Sequence, residues 1–243
     1  MSFWEPRKDG YEGLQYVSSE VFNEAIVGWG GFNSTHHVLD LGCGTGVVKR
    51  LLLGNVAQVI EIDLEADVLG SGIAMDARRL AFADNQFDRV VARMVLHHVI
   101  DQPTRVFNEA FRVLKPLGRF IIADGVPTLV QDQTKQHIMD GWYAELLRAK
   151  EGERLVFNEH YLVESMAEAG FGRITVGTCE IPRLSTKRWL EADKRLGPEA
   201  KEGIMAMMRD APEFIKEGYR QIDTGEDILN LGRYVIVSGA KAG

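Results

Sequence analysis

A glycine-rich turn stands directly after the first buried segment of this sequence, and its residue types suit the binding of an anionic group. Residues 38–46 read VLDLGCGTG, which places Gly42, Gly44 and Gly46 at alternate positions. Glycine lacks a Cβ, so the backbone can turn sharply and a ligand can lie against it. The N–H groups of the turn and the positive end of the following helix favour a pyrophosphate or a carboxylate. The G-x-G-x-G spacing differs from the G-x-G-x-x-G of dinucleotide-binding folds, which disfavours a nicotinamide dehydrogenase.

Acidic residues near this turn indicate a ligand that contains a nucleoside. Asp40 lies two residues before Gly42, and Asp63 ends the second predicted strand. An acidic side chain at the end of that strand accepts hydrogen bonds from ribose hydroxyls in nucleotide-binding folds of this type. Asp76 ends a short third predicted strand, residues 72–75. A plain tight turn, with Asp63 as a helix cap, is the alternative interpretation.

Polar residues also stand at the ends of the fourth and fifth predicted strands. Arg93 ends the fourth strand, His97 and His98 follow it, and Asp124 ends the fifth. Doubly wound sheets bind ligands at this edge, outside the carboxyl ends of their parallel strands. Histidine can accept a proton near neutral pH, so His97 and His98 are candidate general bases. The alternatives are histidines that pack beneath a helix and a surface ion pair for Arg93.

Between residues 36 and 125, short segments rich in β-branched residues alternate with amphipathic segments. This pattern predicts βαβ units and a mainly parallel sheet. The clearest helix follows Asp101, a suitable N-cap, with Pro103 in its first turn and Pro116 stopping it. The predicted strands are residues 36–41, 56–62, 72–75, 87–92, 118–123, 173–181 and 232–239.

Three segments are additional to this α/β pattern. Residues 1–30 contain a predicted helix from Ser18 or Ser19, residues 127–150 a second helix, and residues 185–220 two or three more. They carry aromatic residues, which at helical spacing belong more often to a core than to a pocket. We nevertheless expect some of them to line a binding site. The aromatic residues singled out are Tyr11, Tyr16, Trp142, Tyr143 and Trp189.

Composition narrows the classes of partner. The 243 residues carry a formal net charge of −7 and no Lys/Arg-rich stripe, which argues against nucleic-acid binding. No segment approaches the roughly 18 apolar residues of a membrane span, and residues 1–10 lack the apolar core of a signal peptide. Cys43 and Cys179 have no metal-ligand spacing. We therefore expect a cytoplasmic protein without a metal site.

Several motifs in combination resemble the class I S-adenosylmethionine-dependent methyltransferases. These motifs are VLDLGCGTG, Asp63, DARRLAFADNQFDRVV, VLHHV and EAFRVLKPLGRFIIAD. The resemblance covers residues 36–125. Within the family, these motifs resemble the small-molecule branch, which includes ubiquinone/menaquinone methyltransferase-like proteins. It implies an α/β, Rossmann-like doubly wound sheet of seven strands, mainly parallel with an antiparallel seventh strand. The whole chain would then be one methyltransferase domain, in which residues 36–125 form the cofactor-binding core.

The resemblance also implies roles for individual residues. Asp40 and the loop of Gly42, Cys43, Gly44 and Gly46 would contact the methionine end of S-adenosyl-L-methionine, and Asp63 would hold the ribose. Leu64 would pack beside the adenine, Asp76 would accept from its amino group, and Ala77 would donate a backbone N–H to the ring. Arg93 is a further candidate cofactor contact, and His98 and His97 are the catalytic candidates. The candidate acceptor contacts are Tyr11, Tyr16, Asp124, Trp142 and Tyr143.

Two departures from the family pattern fall at structural positions. Only 12 residues separate Asp63 from Asp76, so the usual third helix is shortened to a turn. The usual Pro-Gly-Gly after the long helix is Pro-Leu-Gly at residues 116–118. Neither departure removes an implied ligand contact.

The resemblance predicts an enzyme that transfers a methyl group to a small, partly apolar or aromatic molecule and releases S-adenosyl-L-homocysteine. The segments outside the core, residues 1–30, 127–150 and 185–220, would supply an N-terminal appendage and lid helices over the methyl donor. We expect no nucleic-acid or membrane partner, and a homodimer is possible. The alternatives are a protein or RNA methyltransferase and a protein that binds the cofactor without catalysis.

Overall fold

The computed structural model describes residues 4–65 and 72–243. Within these ranges the chain alternates strands and helices as far as residue 125 and then adds helices between longer strands. The strands are β1 (His37–Leu41), β2 (Gln58–Asp63), β3 (Ile73–Ala74), β4 (Phe87–Arg93), β5 (Leu114–Gly125), β6 (Gly172–Ser185), β7 (Ile222–Asp223) and β8 (Ile228–Ala240). The helices are α1 (Lys8–Tyr11), α2 (Gln15–Ser18), α3 (Glu20–Gly30), α4 (Val47–Leu52), α5 (Thr104–Val113), α6 (Gln133–Glu151), α7 (Glu159–Glu168), α8 (Thr186–Glu191), α9 (Pro198–Arg209) and α10 (Glu213–Gly218).

The sheet has the strand order β3-β2-β1-β4-β5-β8-β6. The first five strands in this order pair in parallel, whereas β8 runs antiparallel to both β5 and β6. The order reverses at β1, which lies between β2 and β4, and ligands bind at such a switch point in open α/β sheets. The Rossmann-like prediction is confirmed. Within the described residues the sheet has eight strands rather than seven, because the two-residue β7 pairs with β8.

Helices cover both faces of the sheet, so its central strands are apolar on both sides. One face packs against α5, whose apolar stripe buries Val106, Phe107 and Ala110 as the periodicity predicts. The other face packs against α3 through Phe22 and Ile26. The predicted start of α3 is confirmed, because the hydroxyl of Ser19 accepts a hydrogen bond from the Phe22 N–H at 3.3 Å.

The predicted N-cap of α5 is wrong. The helix begins at Thr104 after Pro103, and the Asp101 carboxylate accepts from Arg78 at 3.2 Å instead. The helix also ends at Val113, before Pro116, because Leu114 already has the extended backbone of β5. The shortened third helix that we expected between Asp63 and Asp76 lies partly outside the described residues.

The additional segments form seven helices among the described residues, and contacts hold them to one another. Arg7 and Asp193, both buried, form an ion pair at 2.8 Å, and the Lys194 N–H donates to the Pro6 carbonyl at 3.0 Å. The N-terminal segment is thereby joined to the region after β6, although more than 180 residues separate them. None of the helices in residues 4–65 and 72–243 has both the length and the apolar character that crossing a membrane requires.

Candidate functional site

The glycine turn lies between β1 and α4, and its conformation requires glycine. Gly42, Gly44 and Gly46 have φ angles of 66°, 51° and 78°, a region that other residues rarely adopt. A Cβ added to Gly42 would lie 2.2 Å from the side chain of Val95. A Cβ added to Gly44 would lie 2.9 Å from the ring of Trp4, so the N-terminal segment covers this turn.

Asp63, at the end of β2, shapes the same turn. Its buried carboxylate accepts from the Gly44 N–H at 3.0 Å through Oδ2 and from the Glu65 N–H at 3.0 Å through Oδ1. Each carboxylate oxygen can accept a further hydrogen bond. Leu64, the next residue, is 70% exposed, so an apolar surface lies beside this carboxylate.

Asp40 lies on β1 opposite Glu61 of β2 and is buried behind the glycine turn. Within the described part of the chain, neither oxygen of its carboxyl group has a hydrogen-bond partner. Burial, and then the nearby charge of Glu61, raise the pKa of Asp40 well above its usual value. Glu61 itself binds the Lys49 ammonium at 2.7 Å. The carboxyl group of Asp40 thus favours its neutral form.

Asp40→Asn is expected to make the ligand-free protein more stable at neutral pH. Because the pKa of Asp40 is higher in the folded than in the unfolded chain, stability falls as pH rises from about 4 toward the folded pKa. Asparagine has no charge to lose, so the Tm of the variant should exceed that of the wild type by a few degrees at pH 8. Thermal unfolding at pH 5 and pH 8 measures this difference.

Asp84→Asn is the matched control, since Asp84 is exposed and pairs with Arg112 at the surface. It should change the Tm little at either pH. A Tm difference between Asp40→Asn and wild type that is the same at both pH values would show that Asp40 does not titrate abnormally.

Asp76 follows β3 and is engaged by a neighbouring guanidinium. Its carboxylate binds Arg78 at 2.7 Å, and this hydrogen-bonded pair lowers the pKa of Asp76. Arg78 also donates to Asp101, so Asp76 and Ala77 lie in a turn held by a short ionic chain. Their contacts with an adenine ring stay a prediction.

Arg93, at the end of β4, is buried, so the alternative of a surface ion pair is wrong. Its guanidinium donates to the Tyr16 carbonyl at 2.8 Å and stacks over the Phe22 ring, with 5.0 Å to the ring centroid. Arg93 therefore fixes the N-terminal segment to the carboxyl edge of the sheet.

His97 and His98 belong to a single 3-10 turn, Leu96–His98, directly after β4. His97 Nδ1 lies 2.6 Å from Asp124 Oδ1, and His97 Nε2 lies 3.0 Å from His98 Nε2. A carboxylate only accepts, so in neutral His97 the proton is on Nδ1, and Nε2 accepts from the Nε2–H of His98. Asp124, His97 and His98 thus form a hydrogen-bonded chain.

Asp124 does not lie where a direct acceptor contact requires. It is fully buried behind His97, accepts from the Gly125 N–H at 2.8 Å, and is absent from the described residues that line the adjacent cavity. Our prediction of an acceptor contact for Asp124 is therefore corrected to an orienting contact with His97. By contrast, His98 lines the cavity, and burial followed by the charge of His97 lowers its pKa well below the usual value.

A cavity of about 180 Å³ lies above the His97–His98 turn. The N-terminal segment, α6 and the region around α8 enclose it, together with the sheet edge. All five aromatic residues singled out in the sequence, which come from three separate segments of the chain, meet here. The aromatic residues of the lining are Trp4, Tyr11, Tyr16, Trp142, Tyr143, Trp189, Tyr219 and Tyr234.

The end of α6 contributes charged residues that sequence reasoning missed. Glu151 binds Lys150 at 3.1 Å and Arg154 at 2.6 Å, and these side chains are almost completely buried. In the sequence they look like an ordinary solvated helix end, because nothing local indicates that the N-terminal segment covers them. His97, His98 and Glu151 place potential metal ligands within 4.8 Å of one another. Lys150 and Arg154 oppose a divalent cation there, so the arrangement favours proton handling.

Residues 39–122 match the family described as "Methyltransferase domain". The ubiquinone/menaquinone biosynthesis C-methyltransferase of Pseudoalteromonas translucida is 31% identical over 112 residues, which are 39% of this chain and 44% of the relative. The demethylmenaquinone methyltransferase of Symbiobacterium thermophilum is 32% identical over 135 residues, 46% of this chain and 53% of the relative. The chain thus spans about half the length of these relatives.

Two solved structures share the fold. The YcgJ protein from Bacillus subtilis superposes with a TM-score of 0.78 at 17% identity, covering 91% of this chain and 98% of that protein. Phosphoethanolamine N-methyltransferase 2 from Haemonchus contortus, in complex with S-adenosyl-L-methionine, gives a TM-score of 0.61 at 18% identity, covering 100% of this chain and 60% of that protein. These likenesses extend the similarity of fold beyond residues 39–122.

Proposed function

Since the chain belongs to the class I S-adenosylmethionine-dependent methyltransferases, we propose that it transfers a methyl group from S-adenosylmethionine to a small, partly apolar or aromatic molecule. One observation carries the proposal. Trp4 lies against Gly44 of the glycine turn and also lines the enclosed cavity, so the two parts of the site adjoin. The names of the two relatives refer to ubiquinone, menaquinone and demethylmenaquinone, and a quinone ring is an apolar group.

The residues at the switch point fit the proposed cofactor. The glycine turn has backbone N–H groups at positive φ, Asp63 keeps acceptor capacity for the ribose, and Leu64 offers an exposed apolar surface to the adenine. Asp40 holds two buried oxygen atoms without a hydrogen-bond partner in the described ranges, behind the position of the methionine end. When bound, the cofactor supplies a methyl group on a positively charged sulfur. We assign its contacts to these residues and to Asp76 and Ala77.

The chain's own residues would then position the acceptor and handle its proton. His98 is neutral at neutral pH and can take up a proton at Nδ1, while His97 and Asp124 fix the orientation of its ring. The walls of the cavity hold the acceptor close to the glycine turn and keep water out, which favours a reaction that disperses charge. The additional segments, residues 1–30, 127–150 and 185–220, act as a lid over the site.

The proposal predicts that the protein binds S-adenosylmethionine and S-adenosylhomocysteine, and binds NAD and ATP much more weakly. Isothermal calorimetry on the folded wild-type protein measures all four affinities. Incubation with labelled donor and a pool of small metabolites then tests for transfer. Absence of heat with both sulfur ligands would refute the cofactor assignment, and binding without any transfer would indicate a non-catalytic binder.

Two glycine variants provide a matched comparison for the same measurement. Gly42→Ala should abolish binding of S-adenosylhomocysteine, because its Cβ would collide with Val95 at a φ of 66°. Gly54→Ala has a similar φ of 79°, but its Cβ meets no described atom within 4 Å, so binding should persist. Equal loss of binding in both variants would indicate a general effect on folding.

A further inference from the structure

The wall of the cavity beside His98 carries buried carboxylates that are each shared by two cations. Glu151 pairs with Lys150 and Arg154, whose side chains are 4% and 8% exposed. Asp193, fully buried, pairs with Arg7 at 2.8 Å and with Arg195 at 2.9 Å. Burying charge is costly unless it is balanced, so a wall with more cations than anions favours an anionic ligand.

The charged residues that line the cavity are unbalanced in the same direction. The described residues that line the cavity include five cations and two anions, although the whole chain has a formal net charge of −7. Two anions outside the lining offset part of this positive charge: Glu159 forms an ion pair with Arg233, and Asp124 lies behind His97 and binds that residue. The cations of the lining are Arg7, Lys150, Arg154, Arg188 and Arg233, and its anions are Glu151 and Asp193.

The neighbouring cations hold Glu151 in its charged form. Burial acts to raise the pKa of Glu151, yet its pKa lies well below the usual value because Lys150 and Arg154 outweigh the burial. Burial lowers the pKa of Lys150, and the nearby charge of Glu151 opposes this shift.

Among the described residues, two buried hydrogen-bond donors of the cavity lining also lack an acceptor. Trp142 Nε1 and Arg154 Nε are buried and have no hydrogen-bond partner among residues 4–65 and 72–243. Both atoms belong to side chains that line the cavity, and both can only donate. Buried donors without a partner destabilise the folded protein, so a ligand that brings acceptor oxygens would be stabilising.

We propose that the acceptor molecule carries an anionic group, a carboxylate or a phosphate, which binds beside Lys150 and Arg154. The aromatic rings of the lining, Tyr11, Tyr16 and Tyr143, hold its apolar body. A cavity of about 180 Å³ suits a molecule with a single ring. The inference rests on the proposed function, because it assigns this cavity to the methyl acceptor, and it narrows the acceptor from an apolar molecule to an amphipathic acid.

A panel of aromatic acids and their neutral analogues tests the proposal. Isothermal calorimetry with S-adenosylhomocysteine present compares benzoate with benzamide and phenylacetate with phenylacetamide, and phenyl phosphate forms a separate arm. We expect at least one anion to bind about tenfold or more tightly than its neutral analogue, since hydrogen bonds to a charged group are the stronger ones. A preference for phenyl phosphate identifies a phosphate group, and a preference for an acid identifies a carboxylate.

Three variants separate a charge effect from a structural one. Arg154→Met should bring the ratio of acid to amide affinity close to one, whereas Arg148→Met, at an exposed position of the preceding helix α6, should preserve it. Glu151→Gln removes a competing negative charge and should raise the affinity for the acid. A purely structural role of the cluster would lower the affinity in both Arg154→Met and Glu151→Gln, and this result would overturn the proposal.

The outcomes also distinguish this inference from the proposed function. If S-adenosylhomocysteine binds but no anion is preferred over its analogue, or no panel member binds, the anionic acceptor is wrong and the methyltransferase assignment stands. If S-adenosylhomocysteine fails to bind, the proposed function fails. Calorimetry of the same acids and amides in the absence of S-adenosylhomocysteine then still decides whether the cavity prefers anions.

Discussion

His98→Gln is expected to lower the rate of methyl transfer by about 10²- to 10⁴-fold, the usual contribution of a general base, while affinity for S-adenosylhomocysteine stays nearly unchanged. The reason is geometric, since His98 lines the cavity whereas the proposed cofactor contacts lie at the glycine turn. Single-turnover assays with labelled donor measure the rate, and calorimetry measures the affinity. Glutamine keeps a hydrogen bond to His97 but cannot take up the proton.

The pH profile gives an independent readout of the same residue. Because burial and His97 lower the pKa of His98, its neutral form persists below the usual histidine pKa of about 6.5. The wild-type rate should therefore remain high at pH 6 and fall only in more acidic solution. His137→Gln, an exposed residue on α6, should alter neither rate nor profile. An unchanged rate in His98→Gln would reduce His98 to a packing role, as would be expected for a carbon or thiolate acceptor.

Asp63→Ala is expected to weaken binding of S-adenosylhomocysteine by roughly 10- to 100-fold, since hydrogen bonds to a charged group contribute about 1.5–3 kcal/mol. The variant loses the proposed ribose contacts and also the acceptor for the Gly44 N–H, so the turn itself becomes less ordered. Calorimetry on protein whose folding is verified by its thermal unfolding measures the loss.

Variants of two other acidic residues serve as comparisons for this loss of affinity. Asp76→Ala should weaken binding less, because much of that carboxylate is already engaged by Arg78 and the adenine amino group makes one neutral-donor bond. Asp84→Ala, at an exposed ion pair, should leave binding unchanged. If Asp63→Ala binds as well as wild type while remaining folded, the assignment of the ribose to Asp63 is wrong.

The sequence by itself determined seven of the eight strands and the glycine turn. The positions of these strands, the start of α3 at Ser18 or Ser19 and the apolar stripe of α5 depend on residues close together in the chain, so local patterns record them. The turn VLDLGCGTG is equally local, because its glycines are required by backbone conformation. The boundaries of α5 were less well predicted, since the pairing of Leu114 into β5 overrides its helical pattern.

Only the tertiary structure decided which polar groups are buried together. Asp124 joins His97 across 27 residues, and Arg93 binds the Tyr16 carbonyl across 77. The cations at the end of α6 become part of a cavity wall because the N-terminal segment and α8 close over them. A charged side chain looks the same in a sequence whether water or protein surrounds it. Its burial, its pKa and its partners depend on contacts between distant segments, which local patterns do not encode.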